Sequence, residues 1–171
     1  MELSNTRWCG FQGFLLELYR QSRLNEIQKM VMEYLQAEIL HQCSMFDYGR
    51  AGDETIRFFH PYSGNLDEQT LQDYYQNYQH KDYTVWNFSQ TEPVVYRDSD
   101  LMPDHLREKS RIYQQWMRPL GAYYGLGCAI VRRHFYGSVT MFRTKEAGDY
   151  TEEEVYFLGL LNTHLSSHLQ M

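Results

Sequence analysis

Hydrophobic and polar positions along the chain follow two periods in turn. From Phe11 to about Gln42 apolar residues recur every three or four positions, which places them on one face of a helix. Phe11, Phe14, Leu15 and Leu18 form a first face. After a break near Ser22, Leu24, Ile27, Val31, Tyr34, Leu35 and Ile39 form a second. The pattern then changes. Cys43–Gly49 reads as a strand, Gly49 to Gly52 as a turn, and Thr55–His60 as a second strand rich in β-branched and aromatic residues, so a hairpin is predicted. Asn65 followed by Glu68 predicts a capped helix over 66–78. Pro93 precedes a third strand in VVYRD. Asp100 and Pro103 then open a helix over 104–118, with Leu106, Tyr113, Trp116 and Met117 on one face, which Pro119 and Gly121 stop.

The last third carries the clearest signals. Gly127–His134 and Gly137–Thr144 read as strands joined tightly through Phe135 and Tyr136. Thr151 with Glu154 forms a capping box, and Glu152 to Glu154 sit where a helix dipole favours acids. Val155, Leu158, Leu161, Leu165 and Leu169 make one apolar stripe, while Tyr156, Phe157 and Leu160 lie off it. This final helix must therefore bury itself against its own sheet and against something else. The order of elements predicts an α+β domain whose central antiparallel sheet of about five strands has helices on both faces. One domain is expected over 1–171: helices at 11–42, sheet and covering helices at 43–150, and the last helix at 151–169.

Composition narrows the function. Apolar residues are 43% and charged residues 22% of 171, a balance that folds without disulfide or metal staples. The net charge is −6, and the longest basic run is Arg132–Arg133–His134, so the segment is not expected to contact nucleic acid. Cys9, Cys43 and Cys128 form neither a CxxC motif nor a disulfide framework, which points to a reducing cytosol. The start MELSNTRWCG lacks a signal-peptide core, and no run approaches ~18 apolar residues, so a cytoplasmic chain with no membrane contact is expected. GxSxG, P-loop and GxGxxG motifs are absent, and no nucleophile–base pair can be named. The chain is therefore read as no enzyme, with no cofactor. His164 and His168 have a chelating spacing but no third ligand, and read as a dimer-facing or surface pair rather than a metal site. Asp98, Asp100 and Asp104 read as helix-start residues.

Aromatic residues make up 16% of the chain, with 15 Tyr, and rings with polar tips suit a lined cavity. The run Tyr74-Tyr75-x-x-Tyr78, then Asp82-Tyr83-x-x-Trp86, is the most suggestive. Phe58, His60, Tyr78, Asp82, Trp86, Tyr96, Tyr113, Trp116 and Met117 are the candidate ligand-binding residues, with Asp82 accepting from a ligand amide or amine. The same rings serve equally well as filled core, with Asp82 capping loop N–H groups.

VVYRDSDLMP, IYQQWMRPLG, GSVTMFRTKEAGDYTEEE and LLNTHLSSHL, in that order, resemble the GAF-type sensor domain that precedes the DNA-binding module of LuxR-type transcriptional regulators. The resemblance covers Pro93 to Leu169. It implies a GAF/PAS-like fold, an unknown small-molecule effector, and a homodimer formed through the first and last helices. It also implies a helix-turn-helix module after residue 171, through which the longer protein would meet DNA. Tyr74, Tyr75, Tyr78 and Asp82 are also similar to the aromatic-plus-aspartate spacing of acyl-homoserine-lactone receptors. Tyr83 stands where those receptors carry proline and their Trp-x-x-x-Tyr is missing, so the lactone ligand does not follow. The alternative to a sensor is a ligand-free GAF-like module for protein docking and dimerisation.

Overall fold

A computed structural model describes residues 3–51, 56–132 and 135–169. Five antiparallel strands form one open sheet: β1 (Cys43–Ala51), β2 (Ile56–Tyr62), β3 (Val94–Arg97), β4 (Tyr124–Arg132) and β5 (Phe135–Arg143), in the order β2-β1-β5-β4-β3. Alternation along the strands separates two faces. Phe46 and Tyr48 of β1, Leu126, Cys128 and Ile130 of β4, and Phe135, Val139 and Met141 of β5 share one core with helices α1 (Asn5–Leu18), α2 (Leu24–Glu38) and α6 (Glu152–His168). Cys43, Met45 and Phe142 face the other way. There they pack with Leu71 of α3 (Glu68–Asp73), with Tyr74, and with Ile112, Trp116 and Met117. The expected α+β sheet with helices on both faces is the observed one. Cys128 is buried on the first face, where burial pushes its thiol up to about 12, as an inert core cysteine requires.

The ends of α6 follow the sequence closely. Glu154 N–H donates to Thr151 Oγ1 at 3.2 Å and Thr151 N–H to Glu154 Oε2 at 2.8 Å, a reciprocal capping box. Glu154 also accepts from Arg143 at 2.6 Å, which ties the cap to the end of β5. The second apolar face of α6 meets α1 of the same chain. Phe11 and Phe157 have ring centroids 5.3 Å apart, and the Arg7 guanidinium lies 4.3 Å over Phe157. His164 and His168 are half-buried in this seam rather than paired on a free surface. His164 Nδ1 shares a hydrogen bond with Tyr19 Oη at 2.9 Å, and His168 Nε2 donates to the Gln21 carbonyl at 2.9 Å.

Two amide side chains fasten helices to strands. Gln28, buried on α2, donates to the Phe46 carbonyl at 3.0 Å and to the His60 carbonyl at 2.6 Å, where β1 and β2 change register. Asn162, buried on α6, donates to the carbonyls of Val94 at 3.2 Å and Ala129 at 3.0 Å. Each amide satisfies two carbonyls from different stretches of strand, so a change there costs hydrogen bonds on both sides.

Five local expectations need correction. Asp67, not Asn65, caps α3, by accepting from Thr70 N–H at 2.9 Å; Asn65 turns instead to the Ser44 N–H at 2.9 Å. The helix expected over 66–78 is α-helical only to Asp73 and continues as a π turn, Tyr74–Tyr78. The helix expected over 104–118 is split into α5 (Asp104–Arg107) and a second π turn, Tyr113–Met117, and a separate short helix, α4 (Asp98–Leu101), precedes it. The Arg107 carbonyl accepts both Ser110 N–H and Oγ–H, which closes a turn where the helix would have run on. Finally, Phe135 and Tyr136 pair with Arg132 and Val131 inside the ladder, so the β4–β5 connection falls on Arg133–His134, outside the described residues. The turn read at Gly49 to Gly52 also shifts: β1 runs through Gly49, paired with Phe58, to Ala51, and 52–55 lie outside the described residues. No helix among the described residues is long and apolar enough to cross a membrane.

Candidate ligand site

The second face of the sheet carries a polar centre inside an apolar wall. Asp47 of β1 points to this face, two positions from Met45. Opposite it, β4 presents Gly125 and Gly127. A Cβ at Gly125 would overlap the Asp98 carboxylate, and one at Gly127 would overlap the ring and hydroxyl of Tyr96. The two glycines thus leave room for Asp98 and Tyr96 to lie flat on the strand. The π turn supplies the rest. Its wider ring aims adjacent tyrosines at different acids: Tyr74 Oη–H donates to Asp82 at 2.7 Å, and Tyr75 Oη–H to Asp47 at 2.6 Å. Tyr83 Oη–H donates to Asp98 at 2.7 Å. Asp82 is completed by Thr84, whose N–H and Oγ–H both donate at 2.8 Å.

All three carboxylates are buried, Asp98 to 1% exposure. Loss of water is the largest influence on each, and it pushes Asp47 and Asp98 up to about 7 and raises Asp82 as well. The tyrosine hydroxyls act against that shift on each acid, while the neighbouring Asp82 adds to it on Asp47 and Asp98. Burial likewise raises Tyr74, Tyr75 and Tyr83, which remain donors at neutral pH. Asp47 Oδ1 and Asp98 Oδ1 have no hydrogen-bond partner. Among the described residues no cationic nitrogen comes within 4.0 Å of any of the three acids. The nearest influence of that sign is Arg107, whose guanidinium is committed elsewhere: it donates to the Tyr123 carbonyl and, at 2.8 Å, to Asp104.

Asp82, Asp98, Tyr74, Tyr83, Thr84 and Thr140 form the polar part of an enclosed space, and Met45, Ile112, Met117 and Phe142 its apolar part. Its volume is about 10 Å³, room for one water molecule.

Of the residues singled out from sequence, Asp82 and Met117 line this space. Trp116 backs it, its ring 5.1 Å from Tyr74 and 5.8 Å from Phe142, with Nε1–H donating to the Thr70 carbonyl at 3.2 Å. Tyr96 lies beside it over Gly127, its hydroxyl facing Thr84 and Thr140, and Trp86 packs against Tyr96 at 5.8 Å. Phe58 and Tyr78 pack at the outer edge, Phe58 with its ring 6.1 Å from Tyr75. Tyr113 points along the segment to Tyr123, 5.7 Å away, and His60 is exposed at the strand irregularity with φ 49°. Neither Tyr113 nor His60 reaches the enclosed space. Sequence reasoning passed over Asp47 and read Asp98 as a helix-start residue. The one signal for Asp98 was the pair Gly125 and Gly127, two glycines on the same face of a strand.

An open antiparallel sheet with helices on both faces and a polar space enclosed on one of them defines a GAF-like α+β domain. Its fold is that of the ligand-binding domains of LuxR-type transcriptional regulators. The chain superposes on SdiA in complex with octanoyl-rac-glycerol with a TM-score of 0.67 at 15% identity, covering 99% of this chain and 68% of that one. It superposes on the N-acylhomoserine-lactone-dependent LuxR-family factor CepR2 from Burkholderia cenocepacia at 0.64 and 14% identity, covering 96% and 93%. A GAF domain of a sensor histidine kinase from Bacillus halodurans matches at 0.53 and 14% identity, covering 87% and 95%. No protein-family model and no curated protein matches the sequence.

Proposed function

We propose that residues 1–171 form a single small-molecule-sensing domain of a LuxR-type regulator, cytoplasmic and without catalytic activity. The observation that carries this reading is the set of three buried carboxylates, each holding a tyrosine hydroxyl, with Asp98 Oδ1 left without a partner. A core built only for stability seldom keeps such groups, since each unpaired buried acceptor costs about 1–3 kcal/mol. A ligand seated between the sheet and residues 68–117 would supply the missing donors. It would favour one packing of the covering helices over another, and so reposition a DNA-binding module carried by a longer chain.

The domain is proposed to act as a homodimer. Trp8 and Leu16 of α1, Tyr19 just after it, and Tyr156 of α6 remain exposed, which supports that reading. Light scattering at micromolar concentration is expected to give twice the chain mass, and a monomer would remove this part. Ligand sensing is tested by thermal unfolding against a library of acyl lactones, monoacylglycerols, amines and aromatic acids. A ligand at 100 times its Kd stabilises by about 2.7 kcal/mol, a rise of several degrees in Tm. The rise should saturate and should weaken in Asp82→Asn. The 10 Å³ of enclosed space favours a second reading, a filled GAF-like docking module, and a folded domain whose Tm no compound moves would establish it.

A further inference from the structure

We propose that the ligand of this site carries a protonated amine, held by Asp98 and Asp82, with an apolar body lying against Met45, Ile112, Met117 and Phe142. The inference rests on the enclosed space being a ligand site, and it follows from counting donors and acceptors there. The tyrosine hydroxyls of Tyr74 and Tyr83 are spent on Asp82 and Asp98, and Thr84 is spent on Asp82. Once Asp98 is ionised, few donors are left for a ligand carbonyl, which would moreover face carboxylate oxygens. Acceptors are in surplus. Asp98 lines the space, is 1% exposed, and has an Oδ1 with no partner.

The charge balance points the same way. Three acids share this face, and among the described residues no cation lies within 4.0 Å of them. An ammonium brings three N–H donors and one positive charge, which answers both the open valence and the sign of the field. The rings of Tyr74, Tyr83 and Phe142 line the same space. Met45 and Met117 are unbranched, so the apolar wall is able to open for a body larger than the present space.

The test uses matched pairs in calorimetry and thermal unfolding: hexylamine against hexanol, tyramine against 4-(2-hydroxyethyl)phenol, with N-hexanoyl-homoserine lactone as a neutral amide. Each amine should bind at least ten times more tightly than its alcohol. The advantage should disappear in Asp98→Asn, whose near-isosteric amide keeps the shape of the site. Amine affinity should also rise from pH 5 to pH 8 as Asp98 ionises amid Asp82, Tyr83, Tyr96, Arg107 and Asp149, while alcohol affinity stays level. Alcohols binding as well as amines, or an amine advantage unchanged in Asp98→Asn, would overturn the inference. Saturable binding of the lactone without the amines would do the same, leaving the sensing role intact. A folded wild-type domain that binds none of the probes, nor any compound of the wider library, would remove the sensing role and this inference together. The wild-type pairs decide the matter even if Asp98→Asn fails to fold.

Discussion

Arg107→Ala is expected to lower the unfolding free energy by about 3–5 kcal/mol and the midpoint by roughly 10 °C. Arg107 is the largest side chain with no exposure, a cation placed where apolar residues usually sit. Its guanidinium lies 4.7 Å over the ring of Tyr123 and 5.4 Å from that of Tyr124. It donates to the Tyr123 carbonyl just before β4 begins, and to Asp104 one turn back. Truncation would leave that carbonyl without its partner, open a cavity between α5 and β4, and remove the positive field that opposes the shift of Asp98. Arg107→Lys should recover only part of the loss, because an ammonium neither stacks on two rings nor forks between two acceptors. Urea unfolding with an unchanged m-value is the measurement. A loss below about 1 kcal/mol would mean that the buried cation is replaceable by water.

The second large effect concerns pH. Asp98 rises from 3.8 in the unfolded chain to about 7 in the folded one. The folded state therefore holds this proton more tightly, and the associated stability is present at low pH and lost as pH climbs through 7. Asp98→Asn does not titrate. The stability of the variant relative to wild type should grow by roughly 1 kcal/mol per pH unit from pH 4 to pH 7, then level off. Asp47→Asn should behave alike, since Asp47 also rises to about 7. His41 and His164, both lowered by burial, act in the opposite sense by destabilising the fold as pH falls below 6.5. They are common to wild type and variant and cancel in the difference. Urea titrations at half-unit steps would show it, and a flat difference would place Asp98 in contact with solvent.

The fold was legible where local rules act alone. Thr151 and Glu154 satisfy one another, and β4 and β5 alternate in composition, so both could be read without tertiary knowledge. The long helices of the middle third could not. Apolar spacing over 104–118 fits one helix, yet the Ser110 turn breaks it, and only the packing of Trp116 on Tyr74 and Phe142 decides where the pieces lie. The site was half visible. Asp82 and the tyrosines stood out as rings and an acid in one stretch. Asp47 and Asp98 reach them across 28 and 15 residues of sequence, through hydrogen bonds that no local pattern encodes.

The π turn at Tyr74–Tyr78 makes residue number itself a constraint. It holds one residue more than an α turn of the same span, and deleting that residue would restore an unbroken helix while rotating one of the two adjacent tyrosines about 100° away from its acid. Length in this stretch is therefore constrained as strictly as identity. Side chains around Tyr74 and Tyr75 can be exchanged one at a time, but a one-residue deletion would move one of the two tyrosines off its acid at a stroke.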